Sequence, residues 1–443
     1  MSDQALTYLD ANSVAAEGPA WLDVRRRAAR ASFADAGFPH RRVEAWRYTD
    51  LSRLVAKADW QPAGPHEGAV LVPEGRSNPF AGIESYKLVF VNGFFRPDLS
   101  ELDGLPESVE ILPLESALER GTKFESAFDA NGPEAMAPIA ALNTACARDG
   151  AVIRLSDGVQ LEQPVQIIHY TPDGGATVAH TRNVIELGGG ASMTLLEAQI
   201  GWGGAYLVDR VTNLNLGEQS SLTHVRLEDE DTDAIHLSTV LGDVASNASY
   251  VANTLAIGGR AGRLQSALHF AGEGAHAESN TAYLLRDSQH LDSTIVVDHA
   301  VPGCTSGALA KGVLDGEAIG VFQGKVIVAP QAQKSDAKQM SNALLLSRDA
   351  AMNAKPELEI YADDVQCAHG STIGELDGDA LFYLRSRGIE EKVARQMLIS
   401  AFLGDVLEQI SHEVARDVLS ARAAQWFGLE TGLEIGPETE GVV

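Results

Sequence analysis

Apolar positions change their spacing along the chain. Over residues 17 to 36 they recur with helical period, placing Trp21, Val24, Ala28 and Ala31 on one stripe, with Pro19 suited to the first turn and Gly37 with Pro39 as a stop. Arg25, Arg26, Arg27 and Arg30 make the other face basic, which reads as a solvated face. Residues 40 to 51, HRRVEAWRYTDL, set Trp46 and Tyr48 among charges; periodicity does not place them, and both read as packing residues. In YKLVFVNGFF, residues 86 to 95, strand-forming positions are interrupted by Asn92-Gly93, a dipeptide that accepts the positive φ angles of a tight hairpin. A helical patch from Phe124 to Arg148 follows, ending at Asp149-Gly150.

From about Ala151 helical period disappears. Short β-branched runs such as Val152-Ile153, Val165 to Ile168, Leu237 to Leu241 and Ile295 to Val297 alternate with Gly, Asn and Asp. A Gly-x-x-[Ala/Ser] pattern recurs after these runs at Gly188, Gly217, Gly242, Gly272 and Gly303, a near-constant period of roughly 30 residues, within the range of repeat architectures. Units of that length, each too small to bury its own apolar face, predict a solenoid of stacked β coils whose glycines turn the chain between faces. The rival reading is a β-sandwich with hairpins at similar intervals. A solenoid also needs its open ends covered, by the helical flanks or by a second subunit.

After Gly374 the helical period returns. DGDALFYLRSRG, residues 377 to 388, starts on an Asp cap and ends on Gly. Ile399, Phe402, Leu403, Val406, Leu407, Ile410 and Val414 then form one continuous apolar stripe, and the final GLETGLEIGPETEGVV reads as a disordered acidic tail. The expected organisation is a mixed, mainly helical region over 1–149, a β core over 150–375, a helical domain over 376–428 and the tail over 429–443.

Composition narrows the function classes. A chain of 443 residues, 45% apolar, can bury a sizeable core. With 34 basic and 61 acidic side chains its formal charge is −27, which opposes the electrostatic attraction nucleic-acid binding relies on. Cys146, Cys304 and Cys367 are too few and too scattered for a disulfide scaffold, which favours a reducing compartment. The N-terminal residues lack a basic stretch followed by an apolar one, and no run approaches the roughly 20 apolar residues of a membrane span. A soluble, cytoplasmic protein is expected.

Familiar catalytic signatures fail on inspection. Gly320 to Lys325 resembles a phosphate-binding loop but has three residues between its glycines and Val326 where Ser or Thr belongs. Gly188-Gly-Gly and Gly201-Trp-Gly-Gly lack the spacing of a dinucleotide site, and His276-Ala-Glu278 lacks the PCxxC that completes a zinc deaminase. No pair of carboxylates is singled out for glycoside hydrolysis, the chemistry a solenoid carbohydrate-active enzyme would need. Cys367 and His369 remain, two residues apart in the extended-looking ELEIYADDVQCAHGSTIG, so that on a strand they face one side. Thiolate and imidazole are good ligands for iron or zinc, but two ligands are half a site. The alternative is a small buried thiol beside a hydrogen-bonded strand histidine.

The run IYADDVQCAHGSTIGELDGDALFYLRSRGI, residues 360 to 389, closely resembles the C-terminal signature of the SufD family of the Suf iron–sulfur cluster assembly machinery. EAWRYTDL (44–51), VFVNGFF (89–95), ALNTA (141–145) and QKSDAKQMSNALLLS (333–347) extend the resemblance over nearly the whole chain. It implies a mainly β protein, a right-handed parallel β-helix core between helical termini, acting as a scaffold without ATPase activity of its own. It further implies pairing with a SufB homologue, with a nascent iron–sulfur cluster handled at their interface by His369 and, more weakly, Cys367. The SufC ATPase would dock on the helical domain bearing Phe382, Tyr383, Arg385, Arg387, Gly388 and Ile389. Reduced flavin is associated with such complexes, with no residue here assigned to it.

Overall fold

The computed structural model describes residues 3–14, 18–129, 132–427 and 441–442. The N-terminal region contributes helices α1 (Asp3–Asn12), α2 (Ala20–Ala36), α3 (Leu51–Val55), α4 (Leu114–Glu119) and α5 (Ala137–Cys146). Interspersed are strands β1 (Gln61–Pro62), β2 (Leu71–Val72), β3 (Tyr86–Val91), β4 (Phe94–Phe95) and β5 (Val109–Pro113). The next sixteen strands are β6 (Ala151–Leu155), β7 (Val165–Thr171), β8 (Thr177–Leu187), β9 (Ser192–Gly201), β10 (Tyr206–Leu216) and β11 (Ser221–Asp229); β12 (Ile235–Val244), β13 (Ser249–Ala256), β14 (Ala261–Phe270), β15 (His276–Leu285) and β16 (His290–His299); and β17 (Thr305–Leu314), β18 (Ile319–Val328), β19 (Asp336–Leu345), β20 (Ala351–Ile360) and β21 (Gln366–Gly374). Helices α6 (Gly378–Ser386), α7 (Glu391–Leu407) and α8 (Glu413–Trp426) follow, and Gly441–Val442 (β22) pairs antiparallel with β2.

Even-numbered strands from β6 to β20 lie side by side in one sheet and odd-numbered strands from β7 to β21 in the other, all parallel to their neighbours. This is a two-sheet parallel β-solenoid of about eight turns, which decides for the solenoid and against the sandwich. Register gives the repeat directly. Leu207 lies beside Ile235, Ile235 beside Ala261 and Ile319 beside Ala351, so one coil takes roughly 30 residues, the period the glycine pattern gave. Leu195, Leu216, Leu222, Val244, Tyr250, Phe270 and Phe322 fill the space between the sheets.

Part of each sheet's outer face is covered by a helical flank. Phe33, Trp46, Ile139 and Leu142 pack on Val178, Leu207, Ile235 and Leu237 of the even sheet. Ile399, Leu403, Val406 and Leu419 pack on Val225, Leu255, Leu284 and Val313 of the odd sheet. The order of layers is therefore helix, sheet, sheet, helix, and burial of an apolar stripe against a sheet is what holds each flank. At the first coil, β5 pairs with β6 and the β3–β4 hairpin joins the odd sheet through β7, with Asn92 at φ 53° and Gly93 at φ 83° in its turn.

Several expectations are corrected. Gly242 sits inside β12 and not in a turn; the turn of that coil is Ala245 to Asn247, with Asn247 at φ 54°. On α2 the buried positions are Leu22, Arg26, Phe33 and Ala34, while Val24, Ala28 and Ala31 are not among them. Arg26 therefore leaves the solvated face: it is buried and donates to the Ala147 carbonyl at 3.0 Å. The helical patch over 124–148 is a short 3₁₀ turn, Glu125–Phe128, and then α5. The stripe from Ile399 to Val414 is broken where His412 caps α8 by accepting from the Ala415 N–H, so Ile410 is buried but Val414 is exposed. The acidic tail lies outside the described residues except for Gly441–Val442.

Candidate functional site at the last coil

The two strands of the last coil each have a single neighbour, β20 beside β18 and β21 beside β19. Their outer edges are rows of backbone donors and acceptors with no partner strand among the described residues, and Pro356 in β20 is a residue that tolerates an edge. In register, Cys367 lies beside Ala337 and His369 beside Gln339. Parallel neighbours in register point the same way, and Ala337 and Gln339 are buried between the sheets. Cys367 and His369 thus face the solenoid interior, where a further coil would have covered them.

Because no further coil follows among the described residues, they are open. Cys367 is half-buried against Val326, Val328 and Ala337, and His369 is exposed. Burial, reinforced by the Asp336 carboxylate, holds the Cys367 thiol above its ordinary pKa, so a bound metal would have to displace its proton. Cys146 and Cys304 are buried, and burial pushes the Cys146 thiol up to about 12. Of the three thiols, Cys367 is the accessible one. Among the described residues no group of three or more His, Cys, Asp or Glu side chains is placed to hold a metal ion, so this chain brings two soft donors to an open surface and no closed cage. At the same end Ile360, Tyr361 and Ile373 are exposed apolar side chains at 38, 64 and 48%, and Met340, on the opposite face of β19, is exposed at 42%. Exposed apolar area beside unpaired strand edges is the kind of surface that proteins commonly cover with another element or chain.

Next in the chain, Asp377 caps α6 by accepting from the Asp379 and Ala380 N–H groups at 2.9 and 3.2 Å. No residue of α6 is buried. Phe382 and Tyr383 are 74 and 57% exposed, and Arg387 lies 5.0 Å from the Tyr383 ring centroid while donating to its hydroxyl at 3.0 Å. Arg385 pairs with Glu391 at 3.0 Å, and Gly388, at φ +85°, makes the turn to half-buried Ile389 and α7, where Val393 and Met397 add apolar surface. The sequence-predicted residues thus fall into two surfaces, a Cys–His end and an aromatic helical corner.

Sequence reasoning missed a polar cluster inside the first coils. Glu197 pairs with His224 at 3.0 Å, Arg226 with Glu228 at 2.5 Å, Glu228 with His236 at 2.9 Å, and Arg210 with Glu230 at 2.7 Å, all buried. Burial disfavours the Glu197 carboxylate, yet His224 and Arg226 hold it well below the usual range. The signal was present as charged residues at alternate positions of LLEAQ and HVRLED, where a strand covered on both faces should be apolar.

The chain matches two family models: "SufBD protein N-terminal region" over residues 6–167 and "SUF system FeS cluster assembly, SufBD core domain" over residues 169–402. It is 31% identical over 402 residues to an iron-sulfur cluster assembly SufBD family protein of Synechocystis, covering 87% of each chain. It is 28% identical over 394 residues to the iron-sulfur cluster assembly protein SufD of Escherichia coli, covering 88% of this chain and 89% of that one. A SufBD family protein of Mycobacterium tuberculosis is 29% identical over 411 residues, 91% of each chain.

Proposed function

Because the chain belongs to the SufBD family of iron–sulfur cluster assembly proteins, we propose that it is a non-ATPase scaffold subunit that completes a cluster-building site only with a sibling chain. The sibling is a SufB homologue, seated on the open β20–β21 end so that its own last coil continues both sheets. The observation that carries this is the pairing of two unsatisfied strand edges with inward-facing Cys367 and His369. The nascent cluster is cargo: His369 supplies an imidazole, Cys367 a thiolate once its proton is displaced, and the partner the remaining ligands. The SufC ATPase docks on the corner of α6 and α7 through Phe382, Tyr383, Arg385, Arg387, Gly388 and Ile389, which puts its lever one turn of chain from β21. Reduced flavin enters as a component of the whole complex, with no residue of this chain assigned to it. In this reading residues 1–149, 150–375 and 376–428 are the N-terminal region, the β-helix core and the SufC-facing domain.

No helix among the described residues is long and apolar enough to cross a membrane. The test is anaerobic loading of the co-expressed three-protein complex with iron and sulfide. His369→Ala is expected to leave assembly intact and lower cluster yield about tenfold, the scale of lost ligand-shell interactions; Cys367→Ser should lower it less. A complex of unchanged yield in both variants, or a chain that binds neither sibling nor ATPase, refutes the proposal.

A further inference from the structure

A groove of about 520 Å³ runs along the outer face of the even sheet, walled on one side by Ser126, Ala127, Gly132 and Pro133. Two in-register ladders form its base. One is apolar: Val184, Leu241, Ala267 and Val296, with Asn213 in the rung between the first two. The other is polar: Glu186, Asn215, Asp243, His269 and Asp298 stand in successive rungs, and Ile327 closes the groove beyond them. Helix α5 and the residue before it cover the neighbouring part of the sheet through Ala140 and Met136 on Val211 and Leu241, and leave Ala267 and Val296 half-buried.

Three features point to an occupant. Asn213 is only 5% exposed and lines the groove, and its Oδ1 is buried beneath the apolar base with no hydrogen-bond partner among the described residues. Glu186 is engaged by Arg154 at 2.8 Å and Asp298 by His269 at 2.9 Å, whereas Asp243 is exposed with no ion pair among the described residues. The acidic side chains fall on alternate strands, β8, β12 and β16, hence about 9.6 Å apart at the usual strand spacing. Seven residues of α-helix advance about 10.5 Å.

We propose that this groove is a second docking site, separate from the last coil, that takes a basic amphipathic helix of a partner protein. Its apolar stripe lies on Val184, Leu241, Ala267 and Val296, and its lysines or arginines, at heptad spacing, meet Glu186, Asp243 and Asp298. From β8 to β18 the groove spans five strand steps, about 24 Å, which is the length of a helix of about 16 residues. Amphipathic shape and charge are both required, because a chain of formal charge −27 attracts any polycation weakly.

The probe is a labelled peptide of about 21 residues, leucine and alanine on one face and lysine at every seventh position, roughly 30 Å long when helical. Fluorescence anisotropy is read with wild type, Asp243→Lys and Ala267→Glu, each checked for native circular dichroism. Both variants are expected to weaken binding about fivefold or more, the rim charge through lost complementarity and Ala267→Glu through a blocked base. Ala267→Glu is the discriminating variant, since it adds negative charge: tighter binding there would mean bulk electrostatics and would overturn the proposal. Equal affinity for unstructured oligolysine, or amide protection induced away from residues 184–186, 213–215, 241–243, 267–269 and 296–298, would overturn it as well. Neither readout depends on cluster assembly, so the docking site and the last-coil proposal fail separately.

Discussion

Trp46→Ala tests how the N-terminal region is fastened to the solenoid. Trp46 is fully buried, donates its indole N–H to the Ala135 carbonyl at 2.9 Å, and lies under the Arg263 guanidinium at 3.8 Å from its ring centroid. Arg263 is itself buried and pairs with Asp292 at 2.5 Å, and Asp292 also accepts from the Thr49 hydroxyl at 2.6 Å. The indole therefore roofs a buried ion pair that the EAWRYTDL segment reaches from outside the sheet. Truncating a buried Trp to Ala costs about 3–5 kcal/mol, and losing a desolvated cation–π contact about 2 kcal/mol more if the site does not relax. Trp46→Phe keeps a ring over Arg263 and forfeits one hydrogen bond and some volume, about 1–2 kcal/mol.

Urea unfolding followed by far-ultraviolet circular dichroism should rank wild type, Trp46→Phe and Trp46→Ala in falling order, with the larger step between the two variants. Arg263→Met added to each closes a double-mutant cycle, and a coupling of at least about 1 kcal/mol is expected for groups in direct contact. A Trp46→Ala loss below about 1 kcal/mol, with no coupling to Arg263, would refute the roof and leave Trp46 as replaceable filler.

Two buried titrating groups give opposite pH signatures. Burial raises the Asp149 carboxyl to about 6 despite the Gly150, Phe95 and Glu115 N–H groups it accepts, so its stabilising contribution is full below pH 4 and is lost as pH rises through 6; Asp149→Asn should flatten the stability difference between pH 4 and 6. Burial lowers His169 to about 3, with Arg210 adding to the effect, and neither ring nitrogen has a partner among the described residues, so its contribution is present above pH 6.5 and is lost as pH falls toward 3; His169→Phe should raise acid stability in that window, and urea midpoints from pH 3 to 7 check both. Lys311 clamps α7 to β17 by donating to the Phe402 carbonyl at 2.9 Å and pairing with Asp405; Lys311→Met should cost about 1–3 kcal/mol and speed amide exchange in residues 391–426 while leaving the solenoid strands protected.

Parts of this molecule were legible in sequence and parts were not, for physical reasons. The Asn92-Gly93 turn, the Asp377 cap and the Gly388 stop are set by local backbone chemistry and fall where expected. The coil period was legible although Gly242 misled, because a strand covered on both faces admits small residues inside it as readily as at turns. The face of α2 was misread because Arg26 reaches the Ala147 carbonyl across a tertiary contact no helical wheel contains. At the last coil, alternation put Cys367 and His369 on one side; that this side is the interior depends on Ala337 and Gln339 being their neighbours one coil earlier.

That dependence also explains why the pair reads poorly as an isolated motif. In every earlier coil the positions in the His369 column are covered by the next one: His224, Ala252, Ser279, Ala308 and Gln339 follow each other in register and are buried. An imidazole in that column at mid-solenoid is held by burial and by a carboxylate, as His224 is by Glu197. His369 has the same inward direction without the cover, so its donor atoms stay free for whatever completes the coil. The last coil is thus an interior surface displayed to solvent, and on the proposed function its specificity would come from a partner that supplies both strand edges and ligands together. A lone metal ion meets two donors and no enclosure there among the described residues; on the proposed function a sibling chain would bring the enclosure with it.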